Sequence, residues 1–283
     1  MLGVEPISNL HFTDSDTMRE ETMPVPRFRE KFTSKPFFNP SDFLGYMKKI
    51  GALSDRPAPR GVILGYQNSL FKYVVENYKT SAAEGYFGSY LRYIDEPFAG
   101  SGQVAIAANF GIGAPAAAFI IEELIAWGVQ EFISMGMAGS LRKDLPPGSL
   151  VLCTSAFRDE GTSHHYVESD ELAYPDPELT LRLEKALRTR NLDFSKGPTW
   201  TTDAIYRETP AEVVGYRDLG ALVVEMEASA LFTIARFRNV PIASCFSISD
   251  TLAELAWRPE FHSDTTREGL EKLFHAAVDA LMA

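Results

Sequence analysis

The chain has 283 residues, of which 45% are hydrophobic, 12% aromatic and 23% charged, a composition typical of a globular protein with one large core. Its 27 Lys and Arg residues against 38 Asp and Glu residues give a formal net charge of −11, which argues against a nucleic acid or an anionic membrane as partner. Cys153 and Cys245 lie in apolar runs and predict buried thiols of a reduced compartment. No secretory signal pattern opens the sequence, so we expect a cytoplasmic protein.

The first 60 residues differ in texture from the rest of the chain. They hold seven of the 17 prolines and show no sustained hydrophobic period. We therefore expect residues 1–60 to form an irregular extension packed on a main body that spans residues 61–283.

From residue 61 onward, short β-rich runs alternate with helical patterns, over 61–65, 70–78, 90–94 and 104–110. A helix is predicted over 115–127, followed by strands over 132–135 and 149–154. The second half predicts helices over 177–190, 210–219, 226–237 and 265–282, and strands over 199–202, 222–224 and 242–248. This rhythm favours an α/β protein with a largely parallel central sheet.

Two glycine motifs follow predicted strands. The run from Gly111 to Ala116 formally fits the dinucleotide-binding fingerprint, but the acid expected at the end of the next strand is missing. The alternative is a glycine turn that opens a helix whose N-terminus faces a site. Gly136-Met137-Ala138-Gly139 closes the next strand, either where a ligand approaches the backbone or in a tightly packed turn.

Acidic residues end two predicted strands. Glu225 and Glu227 follow the strand over 222–224, where buried carboxylates are costly unless they are paired, so at least one should face a polar ligand. Asp250, preceded by Ser249, lies at the tip of the strand over 242–248, where open α/β sheets bind ligands. Stabilisation of a helix N-terminus is the structural alternative for the glutamates, and helix capping is the alternative for the Ser-Asp pair.

Other familiar sites are not predicted. His164 and His165 are adjacent, with no further ligand at suitable spacing, so we expect no metal site. The sequence contains neither a Gly-x-Ser-x-Gly elbow nor a Walker loop.

The combination of motifs carries more information than any one of them. It comprises Gly111 to Pro115 with Glu122-Glu123-Leu124, Gly136 to Gly139, Thr202 to Tyr206, Val224 to Glu227, and Ser249-Asp250. In order and spacing this set resembles the nucleoside phosphorylase and nucleosidase superfamily, which includes uridine phosphorylase, the hexameric purine nucleoside phosphorylases and methylthioadenosine nucleosidase. The resemblance implies a three-layer α/β/α sandwich around a mixed, partly barrel-like central sheet, and a homo-oligomer built as a dimer or a trimer of dimers.

The resemblance also implies roles for individual residues at the sugar and the base. Met226 would pack on the ribose, and Glu227 would hold its 2′ and 3′ hydroxyls and stabilise an oxocarbenium-like transition state. Asp250 would act as general acid at N7 of a purine, oriented by Ser249. The remaining implied contacts are His11 at a neighbour's ribose and Ile205, Ala138 and Gly139 at the base.

The expected phosphate site departs from the family pattern. In the loop after Gly65, Ser69 stands where a phosphorylase arginine is expected, and Glu84 and Ser134 align with two further arginines. Met137 replaces a phosphate-binding hydroxyl. Because charge-assisted bonds contribute about 1.5–3 kcal/mol each, losing three cations weakens a dianion site. Glu84 could instead activate water, while Arg92, Arg142, Arg158 and Arg207 are candidates for rebuilding an anion site.

We therefore expect an enzyme that cleaves the N-glycosidic bond of a nucleoside, with a purine favoured and with water slightly preferred over phosphate as nucleophile. Phosphorolysis with rearranged phosphate ligands is one alternative. A non-catalytic nucleoside or nucleotide sensor is the other. No cofactor is expected, with phosphate as a possible co-substrate.

Overall fold

The computed structural model describes residues 25–96, 104–168 and 172–283. The α-helices in these ranges are α1 Pro40–Lys49, α2 Asn68–Asn77, α3 Ala114–Trp127, α4 Pro177–Thr189, α5 Pro210–Asp218, α6 Ala228–Arg238 and α7 Asp264–Met282. The strands are β1 Gly61–Gly65, β2 Lys79–Ala82, β3 Leu91–Glu96, β4 Val104–Ala107, β5 Glu131–Ser140, β6 Leu150–Asp159, β7 Leu172–Ala173, β8 Ser195–Thr202, β9 Val223–Glu225, β10 Ile242–Thr251 and β11 Arg258–Pro259.

Part of the sheet closes into a barrel. β5 pairs with β10, and the ring continues through β6, β8 and β9 back to β5. From β5 the sheet also extends outward through β1, β4, β3 and β2. The mixed, partly barrel-like sheet implied by the resemblance is therefore confirmed. The expected parallel pairing holds for the longest pairs, β5–β10, β6–β8 and β1–β5, whereas β2–β3, β5–β9 and β6–β10 are antiparallel.

Helices cover the sheet on two sides. α1, α3 and α6 pack together on one side, while α2, α4 and α7 lie on the other. Each side has its own apolar core: Ile121 of α3 and Leu231 of α6 belong to one cluster, and Leu183 of α4 and Phe274 of α7 belong to the other. The three-layer arrangement is thus confirmed.

Two barrel strands are longer than their sequence patterns predicted. Gly136 and Gly139 lie inside β5 rather than in a turn. β10 has a bulge after Ile248 and continues through Asp250 to Thr251. Both glycines allow close approaches, since a Cβ at Gly136 would lie 3.1 Å from the Tyr66 ring and one at Gly139 would lie 3.1 Å from Asp250 Oδ2. The small residues therefore mark close packing across the sheet and not the end of a strand.

The N-terminal segment contains regular structure. The expectation of an irregular extension is wrong for α1, which packs on α3 and buries Leu44. Asn39 and Asp42 form a capping box at its start, with Pro40 in the first turn. This local signal was present in the sequence but short, and it was masked by the surrounding prolines.

Within the described ranges, no helix combines the length and the apolar character needed to cross a membrane. Cys153 and Cys245 are buried, free thiols.

Two helical glycines provide a matched test of packing. Gly269 of α7 faces β10, where an added Cβ would collide with the Ser247 side chain, whereas a Cβ at Gly45 of α1 would meet no atom within 4 Å. We expect Gly269→Ala to destabilise the protein by about 1–3 kcal/mol through overpacking, despite the helix propensity it adds.

Gly45→Ala should instead raise stability by up to about 1 kcal/mol. Thermal unfolding of both variants measures the contrast. Equal shifts of the two melting temperatures would contradict the close contact between α7 and β10.

Candidate active site

Glu225 ends β9 and accepts four hydrogen bonds. Its Oε1 accepts bonds from the hydroxyls of Thr201 at 2.5 Å and Thr199 at 3.3 Å, both on β8. Its Oε2 accepts bonds from the backbone N–H groups of Glu227 at 2.8 Å and Ala228 at 2.7 Å. These N–H groups begin α6 and have no intrahelical partner, so the carboxylate caps the helix.

Glu227 points away from that network. It is 8% exposed, and its Oε1 accepts a 2.6 Å bond from the backbone N–H of Gly113. The positive φ of 89° at Gly113 is open to glycine at little cost. Half-buried Met226 extends its methyl group to 3.9 Å from the position that a Cβ would take at Gly113. The glycine turn before α3 therefore meets the acidic segment before α6.

The two glutamates share one buried environment. Burial, followed by the neighbouring Glu225 charge, raises the pKa of Glu227 to about 8. Burial also raises the pKa of Glu225, but its four donors favour the ionised form. The negative charge of the pair therefore belongs on Glu225, and Glu227 holds the proton at neutral pH.

Asp250 lies on β10, beside Gly139 of β5, and is 7% exposed. Its Oδ1 accepts a 2.7 Å bond from the Ser249 hydroxyl, and its Oδ2 accepts a 3.1 Å bond from the indole N–H of Trp257. Burial raises the pKa of Asp250, while both donors oppose the rise. A buried carboxyl with a raised pKa can hold and deliver a proton.

Two of the predicted base contacts, Ala138 and Gly139, lie on β5 beside the end of β10. Ala138 is buried one residue before Gly139, and Ile205 is 39% exposed in a short 3-10 helix, Ile205–Arg207. Glu208 follows this helix; burial raises its pKa to about 7, with the Asp250 charge as the next cause. Glu208 is thus a second carboxyl near Asp250, and the motif analysis did not identify it.

A neutral polar cluster lies at the end of β1, close to Glu227. Tyr66 follows Gly65 and shares a 3.0 Å hydrogen bond with the Ser134 hydroxyl of β5. Burial raises the pKa of Tyr66, and Glu227 raises it further when ionised, so the Tyr66 hydroxyl is protonated. The Oε1 of Gln67 is buried without a hydrogen-bond partner among the described residues. Ser134 was predicted here, whereas no sequence signal singled out Tyr66 or Gln67.

The other predicted site residues have different surroundings. Ser69 is exposed on the first turn of α2, and Glu84 is exposed in the loop after β2. Arg207 is exposed, and Met137 is half-buried on β5. Arg158, near the end of β6, donates hydrogen bonds to the Ser163 hydroxyl and the Val167 carbonyl of the segment that follows. His11 lies outside the described residues.

A buried network links the loop after β6 to the acidic segment. Glu160 accepts hydrogen bonds from the Ser163 N–H and the Ser229 hydroxyl of α6. The Ser229 N–H in turn donates to the Thr201 hydroxyl that binds Glu225. The sequence placed a polar loop here, but the pairing with α6 is long-range and no local pattern encodes it.

The described part of the chain contains no group of three or more side chains placed to hold a metal ion. An open groove of about 500 Å³ lies elsewhere, lined by residues that include Asp144, Gly148, Asp193 and Lys272. None of the predicted site residues lines this groove, so its chemistry is separate from the carboxyl pair.

The protein family of the chain follows from its match to a known family. The model of the phosphorylase superfamily matches residues 61–282. The chain belongs to the phosphorylase superfamily. The glycine turn, Glu225, Glu227 and Asp250 all lie within the matched range.

Several relatives have this similarity over part of their length. A guanosine phosphorylase of Halorubrum lacusprofundi is 33% identical over 142 residues, which cover 50% of this chain and 59% of the relative. A uridine phosphorylase of Haemophilus influenzae is 29% identical over 162 residues, or 52% of this chain and 62% of the relative. The match thus spans about six tenths of each relative.

Solved structures show the same fold. An AMP nucleosidase from Bacteroides thetaiotaomicron superposes with a TM-score of 0.63 at 21% sequence identity. The superposition covers 80% of this chain and 88% of the nucleosidase chain. A uridine phosphorylase from Vibrio fischeri gives a TM-score of 0.65 at 23% identity, with coverages of 81% and 93%.

The raised pKa of Glu227 predicts a pH-dependent stability. Between its ordinary pKa near 4.5 and its folded value of about 8, the unfolded chain loses a proton that the folded chain retains. Raising the pH through this window therefore destabilises the folded state. Glu227→Gln does not titrate, so its melting temperature relative to the parent should rise by several degrees from pH 5 to pH 8.5.

Exposed Glu178→Gln, on the first turn of α4, is the control and should show no such trend. Parallel melting curves for Glu227→Gln and the parent across this range would contradict a protonated Glu227.

Proposed function

We propose that this protein cleaves the N-glycosidic bond of a purine nucleoside with water as the nucleophile. The observation that carries the proposal is the placement of Glu227 and Asp250 on either side of β5. Gly139 pairs with Val224 on β9 and with Asp250 on β10, so the two acidic segments are two strand spacings, roughly 10 Å, apart. A nucleoside can lie across Gly139 with its sugar at one carboxyl and its base at the other.

The sugar end is supported by Glu227 and Met226. The Gly113 N–H occupies one oxygen of Glu227, which leaves the other for ribose hydroxyls, and half-buried Met226 offers an apolar surface beside it. Two hydroxyl donors favour the ionised carboxylate, so sugar binding would draw the proton from Glu227. The resulting charge stabilises the cationic character that develops at C1′.

The base end is supported by Asp250. Burial favours the protonated form of Asp250, and transfer of a proton from this carboxyl group to N7 would turn the purine into a neutral leaving group as the bond to C1′ breaks. The electron pair of that bond goes to the base. The Asp250 carboxylate that remains is held by the donors Ser249 and Trp257. Water then adds to C1′ and loses one proton to solvent, and Asp250 takes a proton back from solvent before the next turnover.

Water is favoured as the nucleophile because the cluster near Glu227 is neutral. Among the described residues, no hydrogen bond or ion pair joins an Arg or Lys side chain to Tyr66, Ser134, Glu225 or Glu227. Arg92 binds Thr80 and Arg142 pairs with Asp144. The unpartnered Oε1 of Gln67 is an acceptor that can orient a water molecule.

Phosphorolysis remains the second candidate, favoured by the similarity to relatives named guanosine phosphorylase and uridine phosphorylase. It would need cations from beyond the described side-chain contacts. We further propose that the enzyme works in the cytoplasm as a homo-oligomer, a dimer or a trimer of dimers, without a cofactor other than phosphate as a possible co-substrate.

Asp250→Asn tests the general acid. The amide keeps the shape of the side chain but cannot protonate N7, so turnover of a purine nucleoside should fall by roughly 10²–10⁴. Exposed Asp218→Asn is the control and should retain full activity. The release of free base is measured for both variants. Activity of Asp250→Asn within a few-fold of the parent would reject the role of Asp250 as general acid.

The nucleophile is tested by the phosphate dependence of the reaction. We expect base release in phosphate-free buffer, free sugar as product, and no acceleration by millimolar phosphate. Ser134→Arg alone should not create phosphate dependence, because a dianion site needs several cations acting together.

Product analysis of the sugar separates the two reactions. A strict need for phosphate with sugar 1-phosphate as product would overturn hydrolysis in favour of phosphorolysis. In that case Arg158 and Arg207 are the first residues to test.

A further inference from the structure

The segment after β10 folds back onto Asp250. β11 pairs with the end of β10, opposite Asp250 and Thr251. Between them Trp257 is 62% exposed, and its ring lies beside Phe261 with 6.2 Å between centroids. An indole with this much exposure gains little from burial, so its hydrogen bond to Asp250 is a main determinant of where it lies.

Each carboxylate oxygen of Asp250 accepts a hydrogen bond from a different side chain. Ser249, which is 1% exposed, donates to Oδ1, while Trp257, which is 62% exposed, donates to Oδ2. The indole N–H can only donate. Its bond is therefore stronger to an ionised carboxylate than to a neutral carboxyl group.

We propose that Trp257 is a positioning residue that acts through Asp250. Its indole N–H holds Oδ2 in place and stabilises the carboxylate that forms as the proton passes to the leaving base. This role rests on the proposed glycosidic cleavage. Because the bond strengthens as charge develops, it lowers the barrier more than it tightens binding of the ground state.

Trp257→Phe removes the N–H donor and keeps an aromatic ring. The expected result is a fall in kcat of roughly tenfold to hundredfold, the equivalent of one charge-assisted hydrogen bond, with KM within about threefold of the parent. Phe261→Leu, which changes the neighbouring ring but no donor, should leave kcat within about twofold. Trp257→His, which retains an N–H group, should recover part of the loss.

A double-mutant cycle shows whether Trp257 acts through Asp250. In the Asp250→Asn background, Trp257→Phe should cause little further loss, because no carboxylate forms there. An equal loss in both backgrounds would overturn the proposal and indicate a merely structural role. An unchanged kcat in Trp257→Phe, or a change in KM alone, would overturn it as well.

The outcomes separate this role from the proposed function. Active parent enzyme with an unaffected Trp257→Phe rejects the positioning role alone. A parent enzyme that releases no base from any purine nucleoside, with or without phosphate, rejects the glycosidic cleavage and with it the positioning role.

Discussion

The carboxylate of Glu225 is the contact on which the rest of the site depends. It joins two barrel threonines on β8 to the first N–H groups of α6, so one buried charge fixes how a helix of the outer layer leaves the barrel. Burying a carboxylate is expensive unless its oxygens are satisfied, and here four donors satisfy them. The direction of Glu227 follows, because it occupies the N-cap position of the same helix.

This arrangement makes Glu227 the responsive member of the pair. Glu225 already holds the negative charge, so a second charge nearby is unfavourable until new donors arrive. A ligand that brings two hydroxyl groups supplies those donors, whereas a ligand that brings none leaves the proton in place. In the proposed function, the pair links recognition of a diol to the release of one proton, which ties the choice of substrate to the protonation state of the site.

The sequence predicted what is encoded locally. The central strands and most helices follow from hydrophobic period and from caps such as Pro177 at the start of α4. The sequence also predicted that Glu227 and Asp250 lie close to the ends of strands. The sequence did not predict the hydrogen-bond partners of the two glutamates, since Gly113 is 114 residues from Glu227 and Thr201 is 24 residues from Glu225. The roles of Trp257 and Gln67 arise only when distant segments meet, and no periodic pattern marks them.

The same buried acids bear on the choice of nucleophile. A phosphate dianion beside Glu225 and Glu227 would meet at least one negative charge, and a second once the sugar ionises Glu227. Without a cation in contact with the cluster of Tyr66, Gln67 and Ser134, nothing among the described residues offsets that repulsion. A water molecule carries no such penalty and finds donors and acceptors of matching polarity in that cluster. The electrostatics of the proposed sugar site therefore support hydrolysis as the proposed reaction, and any phosphorolytic activity would require a neighbouring subunit or a rearranged loop to bring cations to this cluster.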